Sequence, residues 1–475
     1  MARSPGLVIV PPFVRLFVHL SVCPRPWGES VSLSGILFRG LALGACAWLG
    51  LSLPARLQAC SADDIPVLTG KYSKVANGLE PTQEALVALG RKVFFDPSLS
   101  ASGRQACASC HSPAHGFGPP NALPVQPGGP HMDGFGLRAT PSLRYQHGPQ
   151  AFTEHYIDLM DNNGQDSGPA GGRTWDGRVN QAREQALMPL LDAQEMANHG
   201  LSDIVARLRR APYAAEFDAL LSQPGTHILD DEEGVISWLL TAIEFYEQSP
   251  EDFHPFSSKY DDYLRGRVQL SAQEKRGFQI FNDPERGNCA KCHPSVATSS
   301  SVIFPRFTDF EFAALGVPRN RQIPANRDAQ FFDLGLCGPV RHDLADHPEY
   351  CGMFRAPTLR NVATRQSYFH NGVFHSLREV LDFYATRDTD PQRWWGRGKA
   401  RYDDLPARFH GNVNQDPPFK PLPNGQPRLS SRDIDDLLAF LNTLTDRDLV
   451  TPTRPRPSAK RTMALTGPGH PIISK

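Results

Sequence analysis

Two stretches of the chain repeat one pattern of reactive side chains, Cys107-Ala108-Ser109-Cys110-His111 and Cys289-Ala290-Lys291-Cys292-His293. Two thiols three residues apart can add to the two vinyl groups of a haem, and the histidine that follows is then held beneath the iron as its proximal ligand. At the Cys and His frequencies of this chain one such pattern arises by chance roughly 0.006 times. Two of them point to two covalently bound c-type haems, with His111 and His293 as proximal ligands. Zinc is the competing reading of a CxxC pair, but a histidine directly after the second cysteine is poor geometry for a tetrahedral site. Of the other cysteines, Cys23, Cys46 and Cys60 lie near the N-terminus, whereas Cys337 and Cys351 flank a stretch rich in turn residues. Cys337 and Cys351 are expected to form a disulfide, which an exported compartment permits.

The elements that must position these motifs repeat as well. Before the first motif runs Leu89-Gly90-Arg91-Lys92-Val93-Phe94-Phe95-Asp96-Pro97, and before the second runs Lys275-Arg276-Gly277-Phe278-Gln279-Ile280-Phe281-Asn282-Asp283-Pro284. Each reads as a helix ended by Asp-Pro. The first starts after Thr82 with Leu86, Leu89 and Val93 on one stripe, and the second opens on a capping box, Ser271 to Glu274. A core helix is expected over Gly234 to Gln248. A further one opens at the Ser376 to Glu379 capping box and runs to about Tyr384, and the last opens at Ser430 to Asp433. The predicted fold is mainly α: two cytochrome c-like haem domains packed together, with long loops. The expected divisions are 1–60 for targeting, 61–255 for the first haem domain, 256–451 for the second and 452–475 for a disordered tail.

Composition agrees with a globular chain of 475 residues with 40% apolar and 21% charged side chains, while 43 Pro and 39 Gly imply many loops. Lys plus Arg (49) nearly cancel Asp plus Glu (50), so no overall field favours nucleic acid or an anionic surface. Leu41 to Pro54 is an apolar run preceded by Arg39, long enough for a signal-peptide core and short of the roughly 20 residues of a membrane span. Export to the periplasm is therefore expected. Leu57-Gln58-Ala59-Cys60 resembles a lipobox, which would anchor the chain through a lipid on Cys60.

Sixth ligands are harder to derive, since any of 16 His, 7 Met or the tyrosines on an apolar face could serve. Tyr384 shares a stripe with Leu377, Val380 and Leu381, a placement that by itself reads as an ordinary core residue.

Taken together, the motifs resemble the bacterial di-haem cytochrome c peroxidase family, which includes MauG-like enzymes, over nearly all of residues 80–450. The resemblance rests on Phe95-Asp96-Pro97 with the first Cys-x-x-Cys-His, Trp175-Asp176-Gly177-Arg178, the second Cys-x-x-Cys-His, Phe354 to Val362, and Tyr368-Phe369-His370-Asn371-Gly372. It implies a peroxidatic haem at His111 and an electron-relaying haem at His293. Trp175 would lie between them, with Gln185 as the distal glutamine and Glu195 as the catalytic acid-base. A buried carboxylate within reach can take a proton from one peroxide oxygen and return it to the leaving one. His131, in a Gly- and Pro-rich loop from Pro119 to Gly136, falls where the peroxidases place a displaceable histidine ligand of the first haem.

Two departures matter. An inter-domain calcium ion in the family uses an asparagine side chain at the position of Ala139 and carbonyls near Arg365 and Ser367; Ala139 has no side-chain oxygen, which weakens that site. Tyr384 falls where peroxidases carry methionine and MauG-like proteins tyrosine, and a phenolate ligand would stabilise oxidised over reduced iron. The resemblance thus implies an enzyme reacting with hydrogen peroxide, its electrons coming from a small cytochrome c or cupredoxin. The alternatives are MauG-like oxidation of a partner protein's side chains and, in another class, a non-catalytic electron-transfer or sensing cytochrome. A homodimer is a further expectation, as relatives are often dimeric.

Overall fold

The computed structural model describes residues 81–157, 165–296 and 304–450. The expected targeting region with Cys23, Cys46 and Cys60, and the expected tail from 452 onward, lie outside the described residues. Thr82 caps helix α1, Gln83–Phe94, by accepting from Ala85 N, and Leu86, Leu89 and Val93 are buried as the stripe requires. This helix crosses α4, Glu232–Glu247, so closely that a Cβ on Gly90 would stand 1.9 Å from the Ala242 carbonyl oxygen. Only glycine permits that approach. Around the crossing pack α2, Ala182–Leu191, and α3, Leu201–Leu208. They complete a core of Leu86, Leu89, Val93, Leu187, Leu190, Ile204, Leu239 and Ile243. Each such side chain contributes about 1.5–3 kcal/mol by leaving water.

The second half repeats the device. Helix α5, Ala272–Asn282, opens on the Ser271–Glu274 capping box, and α7, Ser431–Asn442, opens on the Ser430–Asp433 one. Gly277 sits at their crossing, where a Cβ would lie 2.0 Å from the Asp436 carbonyl oxygen. With α6, Leu377–Thr386, they enclose a second core that includes Ile280, Phe281, Phe307, Leu381, Phe383, Leu437 and Phe440. Two details differ from the sequence reading. Ser376 caps α6, but Glu379 reaches back to His375 N instead of Ser376 N. A short helix, Arg447–Val450, follows the one expected to be last.

The two cores belong to one compact unit that takes in all the described residues. Buried ion pairs join segments distant in the sequence: Arg138 to Asp333 at 2.7 Å, Arg144 to Asp446 at 3.0 Å, and Arg360 to Asp261 at 2.7 Å. Strands are few and short. β1, Pro127–Gly128, pairs antiparallel with β2, Gly134–Phe135, and β3, Phe312–Ala314, pairs antiparallel with β4, Met353–Arg355. Cys337 and Cys351 form a disulfide. No helix among the described residues is long and apolar enough to cross a membrane.

Candidate active site

Each attachment motif forms a single tight turn, Cys107–Cys110 and Cys289–Lys291, and leads to a histidine fixed in the same way. His111 Nδ1 donates to the Phe117 carbonyl at 3.1 Å, and His293 Nδ1 donates to the Phe307 carbonyl at 2.8 Å. Both phenylalanines adopt the left-handed conformation, φ 56° and 57°, which costs a residue with a Cβ roughly 1–2 kcal/mol. Both turns bear that strain to aim a carbonyl at the ring. The bond assigns the proton to Nδ1 and leaves Nε2 as the free lone pair, as a metal-bound histidine needs. Burial lowers both imidazole pKa values to about 4, keeping the neutral, ligating form.

Cys107, Cys110 and His111 line one cavity, and Cys289, Cys292 and His293 line another. Trp175 lines both. Its indole Nε1 donates to the Ala139 carbonyl at 2.7 Å. The next residue, Asp176, is fully buried and accepts from Arg138 at 2.6 Å, Arg178 at 2.8 Å and the Thr174 hydroxyl at 2.5 Å. These partners hold its carboxyl well below the usual range against the opposing effect of burial. The Trp-Asp-Gly-Arg motif therefore anchors the tryptophan between the cavities through its aspartate.

Gln185, on α2, and Glu195 both line the first cavity with His111. Pro189 sits within the last turn of α2, and the chain then folds over Asp192. Glu195 N donates to the Asp192 carbonyl at 3.0 Å, and Gln194 N to the Asp192 carboxylate at 2.7 Å. Glu195 is exposed as a residue, but desolvation of its carboxyl at the cavity wall pushes the pKa up to about 7, with Asp192 adding to the rise and Arg178 opposing it. Such a group can accept and release a proton near neutrality.

The Gly- and Pro-rich loop from Pro119 to Gly136 packs against the Glu195 turn. Gly129 N donates to the Glu195 carbonyl at 2.7 Å, Phe135 N to the Gln194 side chain at 3.0 Å, and a Cβ on Gly128 would meet the Gln194 oxygen at 2.2 Å. Its glycines allow the β1–β2 hairpin to clamp the turn that bears Glu195. His131 sits at the tip of that hairpin, exposed and away from the cavity, with its carbonyl accepting from Arg104 at 2.8 Å. In this conformation His131, expected as a displaceable ligand of the first haem, is directed to solvent by the hairpin pairing.

Tyr384 lines the second cavity together with Cys289, Cys292 and His293, and its ring stacks on Phe419 with centroids 4.9 Å apart. Burial pushes the phenol up. In such surroundings the oxygen loses its proton only beside a compensating cation, such as an iron.

The cavity walls also fit the rest of a haem. Arg355 is buried between the two cavities with its pKa lowered to about 9, first by burial and then by Arg173. Arg173 is itself lowered by burial, and its Nε has no acceptor. Crowded cations of this kind call for an anion, which the haem carboxylates would supply.

Calcium does not fit. The Ala139 carbonyl is engaged by Trp175, and the Thr140 and Ser367 carbonyls accept from the Arg365 guanidinium at 3.1 and 3.2 Å. The Arg365 carbonyl accepts from the Tyr368 hydroxyl at 2.8 Å. An ion that prefers six to eight oxygens finds these already bound to donors. No group of three or more His, Cys, Asp or Glu side chains that could hold a metal ion occurs among the described residues.

Sequence reasoning missed Glu247, a half-buried residue on the first cavity whose carboxyl is pushed up to about 7 chiefly by desolvation. The available signal was helical spacing, since Glu247 follows Ile236 and Ile243 at i+11 and i+4. Arg173, Arg355 and Arg365 were missed as site residues because arginine carries no burial signature in sequence.

A chain with two c-type attachment turns, a tryptophan between their cavities and a protonatable carboxyl on one of them is of the di-haem cytochrome enzyme class. The profile of the family described as di-haem cytochrome c peroxidase matches residues 84–269. The methylamine utilization protein MauG of Paracoccus denitrificans is 34% identical over 78% of this chain and 91% of its own length. The cytochrome c551 peroxidase of Pseudomonas aeruginosa is 28% identical over 64% and 72%. The crystal structure of the diheme peroxidase BthA from Burkholderia thailandensis superposes with a TM-score of 0.69 at 38% identity, covering 80% of this chain and 90% of that one. The chain belongs to the di-haem cytochrome c peroxidase and MauG family, carries two c-type haems and is a peroxidase-like oxidoreductase.

Proposed function

We propose that this chain is an exported peroxidase that reduces hydrogen peroxide to water at the first cavity, using electrons that enter through the second. Bound by Cys107, Cys110 and His111, the haem supplies the iron site and the redox change for cleaving the O–O bond. The chain supplies the protons. Glu195 takes a proton from one peroxide oxygen and delivers it to the other, and its pKa near 7 suits both halves of that transfer. Gln185 lines the same cavity and can orient the peroxide by hydrogen bonding. Two electrons and two further protons balance the reaction, giving two waters per peroxide. A one-electron donor of the cytochrome c or cupredoxin kind provides those electrons singly. Trp175 lines both cavities and is placed to couple them.

The observation carrying this reading is the placement of Glu195 with its raised pKa on the cavity of His111, since a plain electron carrier has no use for a distal acid-base group. A second reading, oxidation of a partner protein's side chains, is favoured by Tyr384 on the second cavity. The two separate in a turnover assay on the holoenzyme. Sustained consumption of peroxide with two donor electrons per molecule supports the peroxidase. If peroxide is consumed only in the presence of a protein that becomes covalently altered, the second reading holds. Unchanged turnover in Glu195→Gln would remove both.

A further inference from the structure

We propose that Arg365 is a built-in cation that joins the two haem-bearing segments in place of a bound divalent ion, so that the region between the haems assembles without calcium. The Arg365 side chain is half-buried, and its hydrogen bonds go to main-chain oxygens. It donates through Nη2 to Thr140 O and through Nε to Ser367 O, two carbonyls 227 positions apart in the chain. No carboxylate among the described residues hydrogen-bonds it or pairs with it, in contrast to Arg138, Arg144 and Arg360, which are buried against aspartates. A half-buried charge without a counter-ion is costly to keep. Here its pKa is lowered to about 10 by burial, with Tyr368 opposing. Among the described residues its hydrogen bonds run to carbonyl oxygens, the kind of ligand a bound calcium ion also uses.

What it holds together explains why the cost is borne. Thr140 lies between Ala139, whose carbonyl receives the Trp175 indole and whose N–H donates to His370 O at 2.6 Å, and Pro141, whose carbonyl lies against the His111 ring. Ser367 precedes Tyr368, which packs in the second core and donates to the carbonyls of Val362 and Arg365. One side chain thus ties the segment that seats Trp175 and His111 to the segment that walls the second cavity, which Arg365 itself lines. Ala139 is the complementary change: it is buried, with 1% exposure, and offers no side-chain oxygen to an ion. Arg365 is a positioning residue, acting through Thr140 and Pro141.

The test uses the holoenzyme. Calorimetric titration with calcium chloride is expected to show no binding heat, and treatment with a calcium chelator is expected to leave the low-temperature spin-resonance signals of both haems unchanged. Binding of one calcium per chain, or a chelator-induced change in either signal, would overturn the proposal. Arg365→Gln removes the charge and Arg365→Lys keeps it. The Gln variant is expected to lower the midpoint potential of the His111 haem and broaden its spin-resonance signal, and the Lys variant to stay close to the parent. Equal behaviour of the two variants would reduce Arg365 to a space filler and sink the idea. Ala139→Asn combined with Arg365→Ser restores oxygen donors and should gain a calcium-binding heat that the parent lacks; a folded double variant without it counts against the proposal. Should that variant fail to fold, the parent titration and the Gln and Lys pair still decide.

Discussion

The neighbourhoods of His111 and His293 share one foundation and differ on the side that faces the iron. In each half a capped helix crosses another at a glycine, Gly90 or Gly277, and a single turn presents two thiols. In each, a phenylalanine in the left-handed region turns its carbonyl to the histidine Nδ1. Beyond that, the first cavity gathers Gln185, Glu195 and Glu247, while the second receives Tyr384 stacked on Phe419. The shared parts form the attachment turns and orient the histidines; the unshared parts give one cavity protonatable carboxyls and the other a stacked phenol. Duplication of a scaffold thus leaves reactivity to a few side chains brought in by other segments.

The sharpest way to break the comparison is Glu195→Gln, which should lower peroxide turnover by about 10²–10⁴-fold. The spectrum of the second haem should be unchanged. Loss of both would mean that the two cavities are not functionally distinct. Next in size is Asp176→Asn, which leaves Arg138 and Arg178 buried without their shared counter-charge. Thermal or denaturant unfolding should register a loss of about 3–5 kcal/mol. The shared foundation predicts matched responses to Gly90→Ala and Gly277→Ala: each should destabilise by about 1–3 kcal/mol through overpacking. A large inequality between them would argue against equivalent crossings.

The pH dependence sharpens the contrast further. Glu195 must be ionised to accept a proton, so peroxide kcat/KM should rise with pH through about 7, a limb absent in Glu195→Gln. Stability should run the other way. The folded-state pKa values of Glu195 and Glu247 are raised from 4.5 to about 7, so their contribution is fully present below about pH 4.5 and lost as pH climbs through about 7. Global unfolding measured across that window checks the sign. The smallest effect on stability belongs to Tyr384→Met, which should alter the second haem's spectrum and potential and leave the melting temperature within the range of a conservative core change.

Much of this was legible in the chain itself. The two attachment motifs and the capped helices at Thr82, Ser271 and Ser430 are local patterns, set by covalent chemistry and capping, whereas Trp175, Gln185 and Glu195 were singled out only by the family resemblance. In the loop from Pro119 to Gly136 the packing role of glycine was not legible: Gly128 and Gly129 clamp the Glu195 turn, with His131 outward in this conformation. Tertiary structure alone decided which arginines are buried, that Glu247 shares the first cavity, and that Arg365 reaches Thr140. Those outcomes depend on partners more than a hundred residues away, and a charged side chain looks the same in sequence whether it ends in water or among carbonyls.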